Sequence, residues 1–165
     1  MDRFPMHATA KYGYAQRFTM QHLGTDIMAP LGTPVVAVEP GIAWAAIDNK
    51  GGNVVYLDGE SGVRYYYAHL ASWTPLLVVT NDPKVKVNAG DELGYVGNTG
   101  NAATTETHLH FQQRRGSLVM DPFDDLMSVD PHRRGTRGSS VVPAAALLLA
   151  LLLIATKGRL ASGRT

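Results

Sequence analysis

Between positions 30 and 120 the apolar residues come in short runs broken by Gly, Asn, Asp and Pro. No stretch of this body sustains an apolar residue at helical spacing. The pattern predicts strands over Thr33–Val38, Ile42–Ile47, Asn53–Leu57, Val63–Ala68, Leu76–Val79, Glu92–Val96, Thr107–Gln112 and Leu118–Met120. Asn53–Leu57 and Val63–Ala68, joined by Asp-Gly-Glu-Ser-Gly, read as a hairpin with a five-residue loop. The expected fold class is mainly β, without internal repeats.

The pattern changes near the C-terminus. Residues 1–128 read as one domain, and 129–140, rich in Arg, Gly and Ser, as a basic linker. The 19 residues between Arg137 and Lys157 carry no charge, close to the roughly 20 that cross a bilayer. Residues 141–156 are therefore expected to form a hydrophobic helix that anchors the chain in a membrane or serves as a sorting signal. A buried core helix is the bland alternative, but the segment is apolar all round and has no polar face for solvent. Residues 157–165 form a basic tail. Three basic residues flank the apolar segment on each side, Arg133, Arg134 and Arg137 against Lys157, Arg159 and Arg164, so orientation is not set. Met1–Arg17 has no apolar run of signal-peptide type. A body outside the membrane would thus need a signal upstream of Met1 or another export route.

Composition narrows the chemistry. The chain has 165 residues, 45% hydrophobic, enough for one modest core. It has no cysteine, which excludes disulfide staples, thiol catalysis and zinc-finger scaffolds. Residues 1–128 hold 9 Lys/Arg against 13 Asp/Glu, while residues 129–165 hold 6 against 1. An acidic body with a basic tail does not suit a nucleic-acid binder.

Any metal must then be held by His and carboxylate. His22 and Asp26 stand four residues apart in His-Leu-Gly-Thr-Asp. Gly24 between them and the Ala-Pro-Leu-Gly-Thr-Pro that follows oppose a helix, and a straight strand would hold the two about 13 Å apart. A bent, extended segment satisfies both constraints, with Gly24 permitting the bend. A His-x3-Asp pair alone is commonly a solvated surface pair. In Thr-His-Leu-His-Phe-Gln, alternation puts His108 and His110 on one strand face, as two ligands or as one ligand beside a proton carrier. His69 ends an aromatic run in which Tyr65, Tyr66 and Tyr67 alternate, so one or two of these should face a groove. One zinc needs three protein ligands and an open position for water, and the remaining His could carry protons. His7 and His132 have no such partners and are given no role.

Three runs together resemble the lysostaphin/LytM-type zinc metallopeptidases: HLGTDIMAPLGTPVVAVEPG, GGNVVYLDGESGVRYYYAHL and VKVNAGDELGYVGNTGNAATTETHLHFQ. The likeness covers His22 to about Phe123. It implies a compact antiparallel two-sheet β domain with an open active-site groove. It also implies that His22, Asp26 and His110 ligate zinc, and that His69 and His108 are the catalytic pair. The activity implied is hydrolysis of peptide cross-links in bacterial peptidoglycan, with a zinc-bound water as nucleophile. The two His would serve proton transfer and oxyanion stabilisation. The expected location is the bacterial cell envelope. The glycines of Gly-Tyr-Val-Gly-Asn-Thr-Gly-Asn are expected in tight turns beside the groove. Gln112 departs from the family, which often has Glu there.

Two other readings stay open. A catalytically inactive relative could bind the wall or activate an amidase, although such relatives usually lose a ligand or a catalytic His. A zinc peptidase could also act on an ordinary or Gly-rich protein, since substrate choice lies in the loops.

Overall fold

Seven of the eight expected strands form, and four of them extend beyond the expected limits. The computed structural model describes residues 1–78 and 84–134. Its ten strands are β1 (Gly13–Tyr14), β2 (Thr25–Met28), β3 (Pro34–Val36), β4 (Gly41–Asp48), β5 (Gly52–Gly59), β6 (Arg64–Trp73), β7 (Val85–Val87), β8 (Glu92–Val96), β9 (His108–Arg115) and β10 (Leu118–Met120). Short helices α1 (Pro75–Val78), α2 (Phe123–Val129) and α3 (Pro131–Arg134) and one 3-10 turn (Gly100–Ala102) complete the described elements.

All strand pairs are antiparallel, and the main path runs β1-β2-β9-β6-β5-β4-β7. β6 explains why this is one ten-stranded sheet rather than two. Its first half, Arg64–Ala68, pairs with β9, and its second half, Leu70–Trp73, pairs with β8 across a bulge. β8 in turn pairs with β3, so one long strand links both parts by hydrogen bonds.

Alternation sorts the side chains. Tyr65 and Tyr67 are 1% and 0% exposed, whereas Tyr66, between them, turns to the other face and is half-buried. The Tyr67 hydroxyl accepts a hydrogen bond from the Val38 backbone N–H at 3.1 Å, so its polar end is satisfied within the core. Leu57, Leu70, Leu109 and Phe111 pack around these rings at 0% exposure. Each such side chain contributes about 1.5–3 kcal/mol of burial.

Three departures from the sequence pattern have local causes. Leu76 to Val78, expected in a strand, lie in α1: Pro75 favours a first helical turn, and the Leu77 N–H bonds back to the Thr74 carbonyl at 3.1 Å. The helix α2 was not expected, because it is only seven residues long and buries only Leu126. The compact unit runs to Arg134, so the first residues of the expected linker belong to the fold. Asp130 anchors them, accepting hydrogen bonds from the Tyr12 hydroxyl at 2.5 Å and the Tyr14 hydroxyl at 3.1 Å. The hydrophobic helix at 141–156 and the tail at 157–165 lie outside the described residues. Among the described residues no helix is long and apolar enough to cross a membrane.

The turn between β4 and β5 is held by one carboxylate. Asp48 Oδ1 accepts from the backbone N–H of Lys50 at 2.8 Å and of Gly51 at 2.7 Å. Hydrogen bonds from Gly51 and then Lys50 hold this carboxyl below the usual carboxylate range. A depressed carboxylate stabilises the fold above its unfolded pKa of about 3.9, and the contribution fades as pH falls through the lower folded value. Asp48→Ala should therefore cost about 1 kcal/mol in urea unfolding at pH 7. The gap between variant and parent should shrink as pH falls below the unfolded carboxylate pKa of about 3.9.

Candidate active site

The site grows out of one strand pairing. On β9, Leu109 and Phe111 are buried at 0% exposure, so His108, His110, Gln112 and Arg114 are left on the opposite face. On β2, burial of Thr25 and Ile27 turns Asp26 the same way. The register sets Asp26 directly across from His110, and the next partner of His110, on β6, is the small buried Ala68. Asp26 Oδ1 then lies 2.7 Å from His110 Nδ1.

His22 enters from the loop before β2. Its backbone N–H bonds to the Thr19 hydroxyl at 2.9 Å, and the Thr19 N–H bonds to the His22 carbonyl at 2.7 Å. The extended chain bends at Gly24 before Thr25 begins the strand, as the spacing required. A Cβ on Gly24 would stand 2.6 Å from the Phe111 carbonyl oxygen and 2.9 Å from the His110 ring, so only glycine fits. His22 Nε2 reaches 3.0 Å from both Asp26 Oδ1 and His110 Nδ1.

Backbone carbonyls fix the imidazole tautomers. A carbonyl only accepts, so a ring nitrogen bonded to one carries the proton. His22 Nδ1–H donates to the Arg17 carbonyl at 3.0 Å, His69 Nδ1–H to Thr99 at 2.8 Å and His108 Nδ1–H to Glu106 at 2.8 Å. Each neutral ring keeps its lone pair on Nε2. His110 is reversed: Nδ1 faces Asp26, while Nε2 is 2.8 Å from the side-chain amide of Gln112. That amide presents its nitrogen and donates to His110 Nε2, so the His110 proton sits on Nδ1, donated to Asp26, and would leave when a cation binds there.

His22, Asp26 and His110 thus offer one ligand atom each within 4.8 Å of one another. Two imidazole lone pairs and a carboxylate at such closeness repel unless a cation or proton lies among them. Two nitrogens and one oxygen form the donor set of an open zinc site, so these residues fit the metal by chemistry. Burial alone would raise the Asp26 pKa, but the His110 hydrogen bond and the three nearby imidazoles bring it below its usual range.

The other two histidines stand beside this cluster. The His69 and His108 rings are 4.9 Å apart between centroids, and His108 Nε2 is 4.0 Å from Asp26 Oδ1. His69 does not end its strand. It sits inside β6 at the bulge with φ 63°, the left-handed region, and its N–H donates to the Gly51 carbonyl at 2.8 Å. The turn carrying Thr99 packs through Gly100, at φ 71°, on the turn between β4 and β5, where a Cβ would clash with the Lys50 carbonyl at 2.2 Å. Of the glycines expected in turns beside the groove, Gly100 is in one, whereas Gly94 lies inside β8 and Gly97 bridges to His108. Burial holds the His69 imidazole pKa below its ordinary value.

All five residues line one open groove of about 600 Å³, with Tyr66 and Gln112 on its floor. Of the three tyrosines only Tyr66 reaches it. Its ring stands edge-on to that of His110, 6.3 Å between centroids. Gln112, read along the chain only as a departure from the family, bonds to His110 in the groove. Continuing the alternation past His110 would have found it. His7 and His132 lie away from the groove: His7 bonds to Thr9, and His132 stacks on Tyr12 at 4.4 Å.

Residues 20–122 match Peptidase family M23, and the chain belongs to that family. It is 36% identical over 129 residues to lysostaphin of Staphylococcus staphylolyticus, covering 74% of this chain and 25% of that protein. It is 33% identical over 102 residues to the DD-carboxypeptidase/endopeptidase Mpg of Neisseria meningitidis serogroup B, covering 61% and 22%. The catalytic domain of lysostaphin from Staphylococcus simulans superposes with a TM-score of 0.57 at 30% identity, covering 73% of this chain and 98% of that domain. The chain spans about a quarter of the length of the two curated relatives.

The strained backbone at His69 separates side-chain loss from strain. Left-handed φ costs a residue with a Cβ about 1 kcal/mol relative to glycine. His69→Gly should therefore be about 1 kcal/mol more stable than His69→Ala in chemical denaturation. Equal stabilities would contradict strain at this position.

Proposed function

We propose that the chain is a zinc-dependent endopeptidase that hydrolyses peptide cross-links of bacterial peptidoglycan. The observation that supports this most is the convergence of His22, Asp26 and His110 beside His69 and His108 in one open groove. Zinc, when bound, supplies Lewis acidity toward a carbonyl and a nucleophile at neutral pH. The chain's own groups do the rest. His22 Nε2 and His110 Nδ1 both already meet Asp26, so the ligand set is gathered before substrate arrives.

His69 and His108 divide the proton work. Each neutral ring has Nδ1–H tied to a carbonyl, so Nε2 is the atom that accepts a proton from water. A ring so protonated donates from Nε2, either to the leaving amine or to the oxyanion of the tetrahedral species. The carbonyl bonds keep both rings from turning as the charge changes. Tyr66, half-buried on the floor, offers a flat surface against which an extended peptide can lie.

The relatives support the substrate class, since one is named a DD-carboxypeptidase/endopeptidase and another is the antimicrobial peptidase lysostaphin. The proposed location is the bacterial cell envelope, with residues 141–156 as membrane anchor. The proposed partners are thus the peptidoglycan cross-link and, through that segment, a membrane.

Purified peptidoglycan incubated with the zinc-loaded chain should yield new peptide ends by mass spectrometry. His110→Ala should lose both zinc and activity. His69→Ala should keep zinc and lose turnover by about 10²-fold or more. Intact peptidoglycan with one zinc bound per chain would instead favour a wall-binding or amidase-activating homologue. Equal zinc loss in both variants would overturn the division of roles.

A further inference from the structure

The site face of the sheet continues past the histidines. Register places three rows across the strands: Asp26, His110 and Ala68; then Gln112, Tyr66, Tyr56 and Trp44; then Arg114, Arg64 and Asp58. The first two rows are the metal cluster and an aromatic floor. The third row puts two arginines directly opposite one another on β9 and β6. Like charges in cross-strand register cost stability, so this pair is not explained by sheet packing.

Only one of the two is neutralised. Arg64 donates to both oxygens of Asp58, Nε at 2.6 Å and Nη2 at 2.9 Å, and lies 5.2 Å from the Trp44 ring centroid. Arg114 is exposed and forms no ion pair among the described residues. Asp48, the other acid lining the groove, is committed to the N–H groups of Lys50 and Gly51. The two arginines and Asp58 therefore leave one uncompensated positive charge.

That charge lies where a chain-like substrate would pass. Arg64 and Arg114 line the groove that holds the histidines, and they also line a second hollow of about 360 Å³ bounded by Gly59, Gly62 and Gly116. A peptide lying from one to the other crosses the arginine pair. Arg114 is four residues beyond His110 on β9, about 13 Å along the strand. Its fork thus meets a substrate group within about four residues of the scissile bond.

We propose that Arg114 is a subsite for a free carboxylate carried by the substrate peptide, and that the groove prefers carboxylate-bearing stem peptides over neutral, glycine-only bridges. This rests on the peptidase reading above and narrows its substrate class. A guanidinium held across from a second, already paired arginine binds a carboxylate in a two-point, charge-assisted fashion that an amide cannot reproduce. The carboxylate has two sources in such peptides, a side chain or the peptide's own C-terminus.

Binding can be read without turnover. The zinc-loaded full chain carrying His69→Ala is titrated calorimetrically with two pairs of cross-link peptides. One pair differs only by amidation of the side-chain carboxylate, the other only by amidation of the terminal carboxylate. In one pair the free acid should bind about tenfold tighter. That pair identifies the source. Adding Arg114→Gln should abolish the difference while leaving zinc content unchanged. Equal binding within both pairs, or a preference that survives Arg114→Gln, would overturn the subsite. A standing preference in a parent chain that cuts no peptidoglycan would instead overturn the hydrolase reading and leave the subsite in place.

Discussion

The antiparallel register of β2 against β9 is the constraint on which the site depends. It is set by burial rather than by the functional groups. Ile27, Leu109 and Phe111 are fully buried, and their pairing forces Asp26 across from His110. A one-residue slip would turn the apolar residues outward and the imidazoles into the core, at a cost of several kcal/mol. The closeness of Asp26 and His110 is therefore a by-product of core packing.

Around this pair the fold supplies fixed partners instead of flexible ones. Carbonyls of Arg17, Thr99 and Glu106 hold the protons of His22, His69 and His108, and each carbonyl belongs to a loop closing on the groove. The strain at His69, in the left-handed region inside a strand, is held by the Gly51 carbonyl on its N–H and the Thr99 carbonyl on its ring. Backbone strain at such a position is a common feature of catalytic sites, where the surrounding structure outweighs its cost.

Much of this was legible along the chain because strand periodicity is simple. Alternation alone put His108 and His110 on one face and left Tyr66 apart from Tyr65 and Tyr67. The Gly24 bend followed from the poor fit of either regular structure to His22 and Asp26. Long-range geometry was not legible. Nothing local shows that β6 carries a bulge at His69, or that this strand serves both β9 and β8 and so makes one sheet of two. The helix α1 was misread as strand, because a Leu-Leu-Val run has no period over so few residues and Pro75 decides the matter. Spacing alone did not separate His108 from His110; the family resemblance did, and the pairing of two strands more than 80 residues apart sets His110 opposite Asp26.

The central claim is that this register assembles a zinc ligand set of two imidazoles and one carboxylate, with the other two histidines outside it. X-ray absorption at the zinc edge of the purified, metal-loaded chain tests that directly. The account predicts one zinc per chain with two imidazole ligands, an oxygen-rich remainder and an unchanged spectrum in His69→Ala. Three or more imidazoles, or a first shell altered by His69→Ala, would contradict it.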